Sequence, residues 1–150
     1  MTAGTSAAAR AATTDTIAAL QSALAGEHAA VFGYGVVGAR CAPSDAALAV
    51  ASYSTHRRRR DRLTEIVQHA GGTPVAARPG YLLPDRLHGP EAPRRLARRL
   101  EHGCAAQYAF AVGRTTGDAR LFAAEALTDC AVRGLEWGAS SEPFPGIGDL

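Results

Sequence analysis

At 150 residues, with 47 % hydrophobic and 20 % charged side chains, the chain is long enough to bury one core without disulfide or metal staples and too apolar for disorder over most of its length. The 16 basic and 14 acidic residues leave a net charge of only +2, which argues against nucleic acid or an anionic membrane as an obligatory partner. Cys41, Cys104 and Cys130 form no C-x-x-C pair, so neither a disulfide framework nor a structural zinc site is indicated.

No apolar run approaches the roughly 18 residues of a membrane span, and the N-terminus lacks a basic stretch followed by an apolar one, so a cytoplasmic, soluble protein is expected. Every basic side chain is Arg, which together with the abundance of Ala reads as codon usage in a high-GC genome.

In chain order, residues 1–13 carry no large apolar anchor after Met1 and are expected to be a disordered tail. Thr14 or Asp15 then caps a first helix reaching Arg40, with Ile17, Leu20, Leu24, Val31 and Tyr34 on one stripe that also passes through Glu27. Cys41 to Ser44 is a short breaker, and a second helix follows over about 45–70. Its stripe is Ala49, Tyr53, His56, Arg60, Leu63, Val67 and Ala70.

Gly71 and Gly72 end that helix, and the connection over about 71–92 holds Pro74, Pro79, Pro84 and Pro90, too many breakers for a helix and no strand alternation. Roughly 20 extended residues reach well over 40 Å, more than the length of a 25-residue helix. Tyr81, Leu82 and Leu83 are expected to pin this segment to the surface. Pro93 opens a third helix to about Arg114, with Leu96, Leu100, Gln107 and Phe110 on one stripe. A tight link precedes a fourth helix over about 119–137, and residues 138–150, with Pro143 and Pro145, are expected to be extended.

Short links within each half and one long connection between them predict an all-α four-helix bundle: two antiparallel pairs joined by one crossover, the ferritin-like connectivity. Counting outward from the links sets Glu27, His56, Arg60, Cys104 and Asp129 at one level, with Glu101, Tyr108 and Glu125 within about a turn of it. Buried carboxylates need partners, which leaves two readings. In one, Arg60 and His56 satisfy Glu27 and Asp129 as an internal salt-bridge layer. In the other, Glu27, His56 and Asp129, with Glu101 or Glu125, hold iron or manganese.

The ligand count favours the first reading. A full two-metal site takes Glu-x-x-His from each of two helices, whereas Tyr53 stands three before His56 and the fourth helix has no histidine. The arginines at 57–60 and 62, and at 94, 95, 98 and 99, point in several directions and have carboxylates within helical reach, Arg57 with Asp61 and Arg98 with Glu101. They read as a solvated face, with an Arg-mediated binding module for nucleic acid or an acidic protein as a further alternative. A Cys104–His56 nucleophile pair is formally possible, but buried cysteines are more often packing.

Glu27-His28-Ala29-Ala30 with Tyr34, His56-Arg57 with Arg60-Asp61 and Leu63, Gly71-Gly72-Thr73-Pro74 followed by Tyr81 and Pro84, Leu96-Ala97 with Leu100-Glu101, and Trp137 together resemble an uncharacterised ferritin-like family of high-GC bacteria. The resemblance spans about 18–137 and implies a ferritin-like bundle. The departures on the second and fourth helices set the chain apart from members that bind two metals. The expected protein is therefore non-enzymatic, without cofactor, with a degenerate metal site. The close glycines Gly33, Gly35 and Gly38 suit self-association, most simply as a dimer. The alternative is an iron- or manganese-dependent oxidoreductase with an atypical site.

Overall fold

The computed structural model describes residues 3–83 and 88–147, with side chains described from Ala9 onward; Pro84 of the connection lies outside the described residues. Among them the chain is all-helical: α1 Ala3–Arg40, a single 3₁₀ turn Pro43–Asp45, α2 Ala46–His69, α3 Ala92–Val112 and α4 Gly117–Glu136. No helix is long and apolar enough to cross a membrane.

The first helix begins at Ala3 rather than at the Thr14–Asp15 cap. Alanine has the highest helix propensity, so an alanine-rich run extends a helix that packing has already nucleated. Thr13 and Thr14 sit inside it, their hydroxyls donating to the Ala9 and Arg10 carbonyls at 3.0 Å instead of capping. This extension is exposed as far as Asp15; the core face starts at Ala19, Leu20, Ala23 and Leu24.

On α2 the buried face is Ala49, Ser52, His56, Arg59, Leu63 and Val67, so Tyr53 and Arg60 fall to its flank. Steps of three then four fit a 3.6-residue period as well as four then three, and a run of four arginines carries no hydropathy contrast to choose between them. The helix closes where expected: Gly71 takes φ 84° and the Gly72 amide donates to the Val67 carbonyl at 2.9 Å.

α1 packs against both α2 and α3, and α3 against α4. Thr16 bonds to Arg114 and Tyr34 to Glu101, so α1 and α3 run antiparallel. The connection after α2 lies along α1: Gln21 bonds to the backbone of Thr73 and Val75, His28 to the Val75 carbonyl, and Phe32 meets the Tyr81 ring at 5.4 Å. Leu83 packs into the core, whereas Leu82 is fully exposed.

The core has an apolar cluster at each end, one around Leu20, Leu24, Leu63 and Val67, the other around Tyr34, Val37, Leu96 and Trp137. Trp137 is completely buried at the end of α4, its Nε1 3.4 Å from the Ser52 hydroxyl. After it the chain folds back over α3. Gly146, at φ 76°, sits so close that a Cβ there would lie 2.5 Å from the Ala106 amide nitrogen, a position open only to glycine.

Candidate functional site

Between the two apolar clusters lies a polar layer whose centre is His56, completely buried on α2. Its Nδ1 is 2.6 Å from Glu27 Oε2 on α1 and its Nε2 is 3.1 Å from Glu101 Oε1 on α3. Each carboxylate also receives a tyrosine: Tyr108 donates to Glu27 Oε1 and Tyr34 to Glu101 Oε1, both at 2.5 Å. The Tyr34 ring stacks on the imidazole, centroids 5.1 Å apart and planes 21° apart.

With a carboxylate on each ring nitrogen, the imidazole can satisfy both only as the doubly protonated cation. Burial pulls its pKa down, but the hydrogen bonds to Glu101 and Glu27 and the charges behind them outweigh it and push it up to about 10. Both tyrosine hydroxyls are held protonated well above their ordinary range, first by burial and then by the carboxylates they face.

A second tier adjoins the first. Arg59, buried on α2, donates to Asp129 Oδ2 and, at 3.3 Å, to Cys130 Sγ, both on α4; its guanidinium carbon lies 5.9 Å from the Tyr108 ring centroid. Arg133 donates to Asp129 Oδ2 at 2.8 Å, and its Nε is 3.6 Å from Glu101 Oε1. Partial burial pushes the Asp129 pKa up, but the Arg133 hydrogen bond and the charges of both arginines hold it below the usual carboxylate range. Taken in their charged forms, Glu27, Glu101 and Asp129 balance His56, Arg59 and Arg133, so the layer sums to zero.

Of the residues expected at this level, Glu27, His56 and Glu101 meet directly, and Asp129 stands at the edge. Arg60 does not belong: it points outward and pairs with Asp61 at 2.7 Å, while its neighbour Arg59 takes the inward place. Glu125 is exposed on α4, one turn before Asp129, and does not join the buried layer. Tyr34, Arg59 and Arg133 were not foreseen as members, although Tyr34 stands seven residues, two helical turns, after Glu27 on the same stripe and Arg133 is at i+4 from Asp129.

The contrast between the adjacent arginines is measurable. Arg59→Ala strips Asp129 and Cys130 of a buried donor and should cost about 1–3 kcal/mol in a urea melt. Arg60→Ala should stay within about 0.5 kcal/mol. Two other arginines are also occupied in ways the sequence left open: Arg94 clamps Asp45 with bonds of 2.7 and 2.6 Å, and Arg98 donates to the Trp137 carbonyl rather than to Glu101.

The nearest approach to a metal donor set among the described residues is Glu27, His56 and Cys104, with candidate ligand atoms within 4.8 Å of one another. The set fits a metal poorly. His56 would have to give up a proton and one of its carboxylates. The Cys104 thiol resists ionisation, its pKa raised by the hydrogen bond with Cys130 and by burial. Asp129 is engaged by both arginines.

Residues 19–149 match a family described as Domain of unknown function (DUF4439). The chain belongs to this family. The fold is similar to that of the crystal structure of a conserved hypothetical protein from Mycobacterium tuberculosis, with TM-score 0.80 and 37 % identity over 83 % of this chain and 95 % of that one. No curated protein matches the chain.

Proposed function

We propose that the chain is a non-enzymatic ferritin-like bundle in which a closed ion-pair layer stands where metal-binding relatives of such bundles carry their metals. The ferritin-like connectivity is supported by the antiparallel pairing of α1 with α3 and by the long connection lying along α1. The observation that carries the functional reading is His56 with both ring nitrogens bonded to carboxylates, each of which a tyrosine also engages. A catalytic di-metal site needs open coordination positions and neutral imidazole ligands; here both nitrogens of His56 are already taken by carboxylates and the charges of the layer cancel.

The role that follows is binding rather than turnover, with a second copy of the chain as the simplest partner. Gly35 and Gly38 have no atom within 4 Å of a would-be Cβ, which leaves that side of α1 open to another helix. Gly33, in contrast, is filled by Leu100 of the same chain. Light scattering of a dimer mass supports self-association, and a strict monomer at high concentration removes it.

The layer itself is tested by elemental mass spectrometry on untagged protein made with iron, manganese and zinc supplied and purified without chelator. The expected metal content is far below one ion per chain. A stoichiometric metal removed by substituting His56 would overturn the reading in favour of a metal-dependent oxidoreductase.

A further inference from the structure

Cys104 and Cys130, far apart in the sequence, meet where α3 packs against α4. Both are buried, both are free, and their thiols are hydrogen-bonded to each other. Cys41 stands apart, just after α1 and beside the other apolar cluster. The pair is not symmetrical. Cys130 Sγ accepts an Arg59 N–H at 3.3 Å, so a cation sits against it. Cys104 faces oxygen instead: its Sγ is 3.8 Å from the Gly26 carbonyl and within 4.8 Å of a Glu27 carboxylate oxygen. Negative charge developing on sulfur is therefore stabilised at Cys130 and opposed at Cys104.

Solvent lies one ion pair away from Cys130. The Arg59 guanidinium that meets the sulfur is held on its other side by Asp129, whose side chain is 42 % exposed. At this place α2 touches α4 only lightly, whereas α3 and α4 pack closely. A swing of the Arg59–Asp129 pair opens a way to the sulfur for a small uncharged molecule, and none for a peptide.

We propose that Cys104 and Cys130 are a redox couple that a small hydroperoxide oxidises to a disulfide joining α3 to α4, with Cys130 attacking and Cys104 resolving. Cys130 gives up its proton and its sulfur attacks the near peroxide oxygen. The O–O bond breaks, and the far oxygen leaves with that proton as an alcohol, or as water when the oxidant is hydrogen peroxide. Cys130 is then a sulfenic acid. The Cys104 sulfur attacks it, the S–O bond breaks, and the hydroxyl leaves as water with the Cys104 proton. The two thiols together lose two electrons and one hydroperoxide gains them, so no further reactant is needed.

The test uses the full chain carrying Cys41→Ser, whose remaining thiols are Cys104 and Cys130. Hydrogen peroxide should consume both thiols, lower the mass by two hydrogen atoms, and join the Cys104 and Cys130 peptides in a tryptic map. Dithiothreitol should restore both. Oxidised glutathione, charged and too large for the buried pair, should leave them free under the same conditions. With dimedone present to trap sulfenic acid, the further variant Cys104→Ser should be labelled at Cys130 at least about tenfold more than Cys130→Ser is labelled at Cys104. Alanine takes the place of serine where the serine variant does not fold. The proposal is overturned if both thiols survive a peroxide exposure that oxidises Cys41 in the unsubstituted chain, or if they pass to sulfinic acids without a disulfide. It is equally overturned if dimedone labels the two variants alike, or if glutathione adducts form as fast as the disulfide. Such a failure leaves the ion-pair layer standing, because metal content tests that layer separately.

Discussion

Replacing His56 by Ala should destabilise the fold by about 3–5 kcal/mol, among the largest single-residue effects in the molecule. The cost arises from what is left behind more than from what is removed. Glu27 and Glu101 lie on opposite sides of one imidazole, completely or almost completely buried, and without it each loses a charged donor and neither gains water. Their tyrosine bonds remain but carry no positive charge. Urea denaturation of the single variant measures the loss. The triple variant His56→Leu with Glu27→Gln and Glu101→Gln should recover much of it, since burying a neutral set avoids the uncompensated charges. If His56→Ala cost less than about 1 kcal/mol, the imidazole would not be the keystone of the layer.

Stability should also fall on the alkaline side, by about 2–3 kcal/mol between pH 7 and pH 9. The folded pKa of His56, about 10, lies above the value near 6.5 of the unfolded chain. A group with a raised pKa contributes its full stabilisation below the unfolded value and loses it as the pH climbs through the folded one. Between those limits the native state holds one proton more, so stability drops by roughly 1.4 kcal/mol per pH unit. Cys104, raised by its bond to Cys130 and by burial, and Tyr34 and Tyr108, raised by burial and their carboxylates, act in the same direction. They do so only above their ordinary values near 9 and 10. The slope between pH 7 and 8.5 therefore belongs to His56, and His56→Gln should flatten it. An unchanged slope in that variant would assign the proton elsewhere.

The helices were legible because breakers and caps are local: Cys41 to Ser44, Gly71-Gly72 and the link before α4 lie where the sequence puts them. The start of α1 was not, since Thr14 and Asp15 carry the chemistry of a cap wherever they stand, and only packing decides whether alanines before them join the helix. At the site, Glu27 and His56 were found because a charge on an apolar stripe has to be answered. Arg59 was missed in favour of Arg60 because rotating α2 by a fraction of a turn exchanges them, and the neighbours that fix the rotation, Trp137 against Ser52 and Cys130 beside Arg59, come from α4 and its C-terminal end.

Glu101 marks the boundary of what could be read. Its level was evident from counting, but not that one of its oxygens would gather every partner while the other faced none. The partners come from α1, α2 and α4, which spacing along α3 does not encode.

Whether a buried imidazolium locks Glu27 and Glu101 in a layer without metal is decided by the ¹⁵N resonances of the His56 ring between pH 6 and pH 10. Both nitrogens should show protonated shifts throughout the neutral range, with the transition near pH 10 and no change on adding iron(II), manganese(II) or zinc. A neutral ring titrating near pH 6.5, or a ring nitrogen bound by a stoichiometric metal, would remove the imidazolium and restore a metal centre.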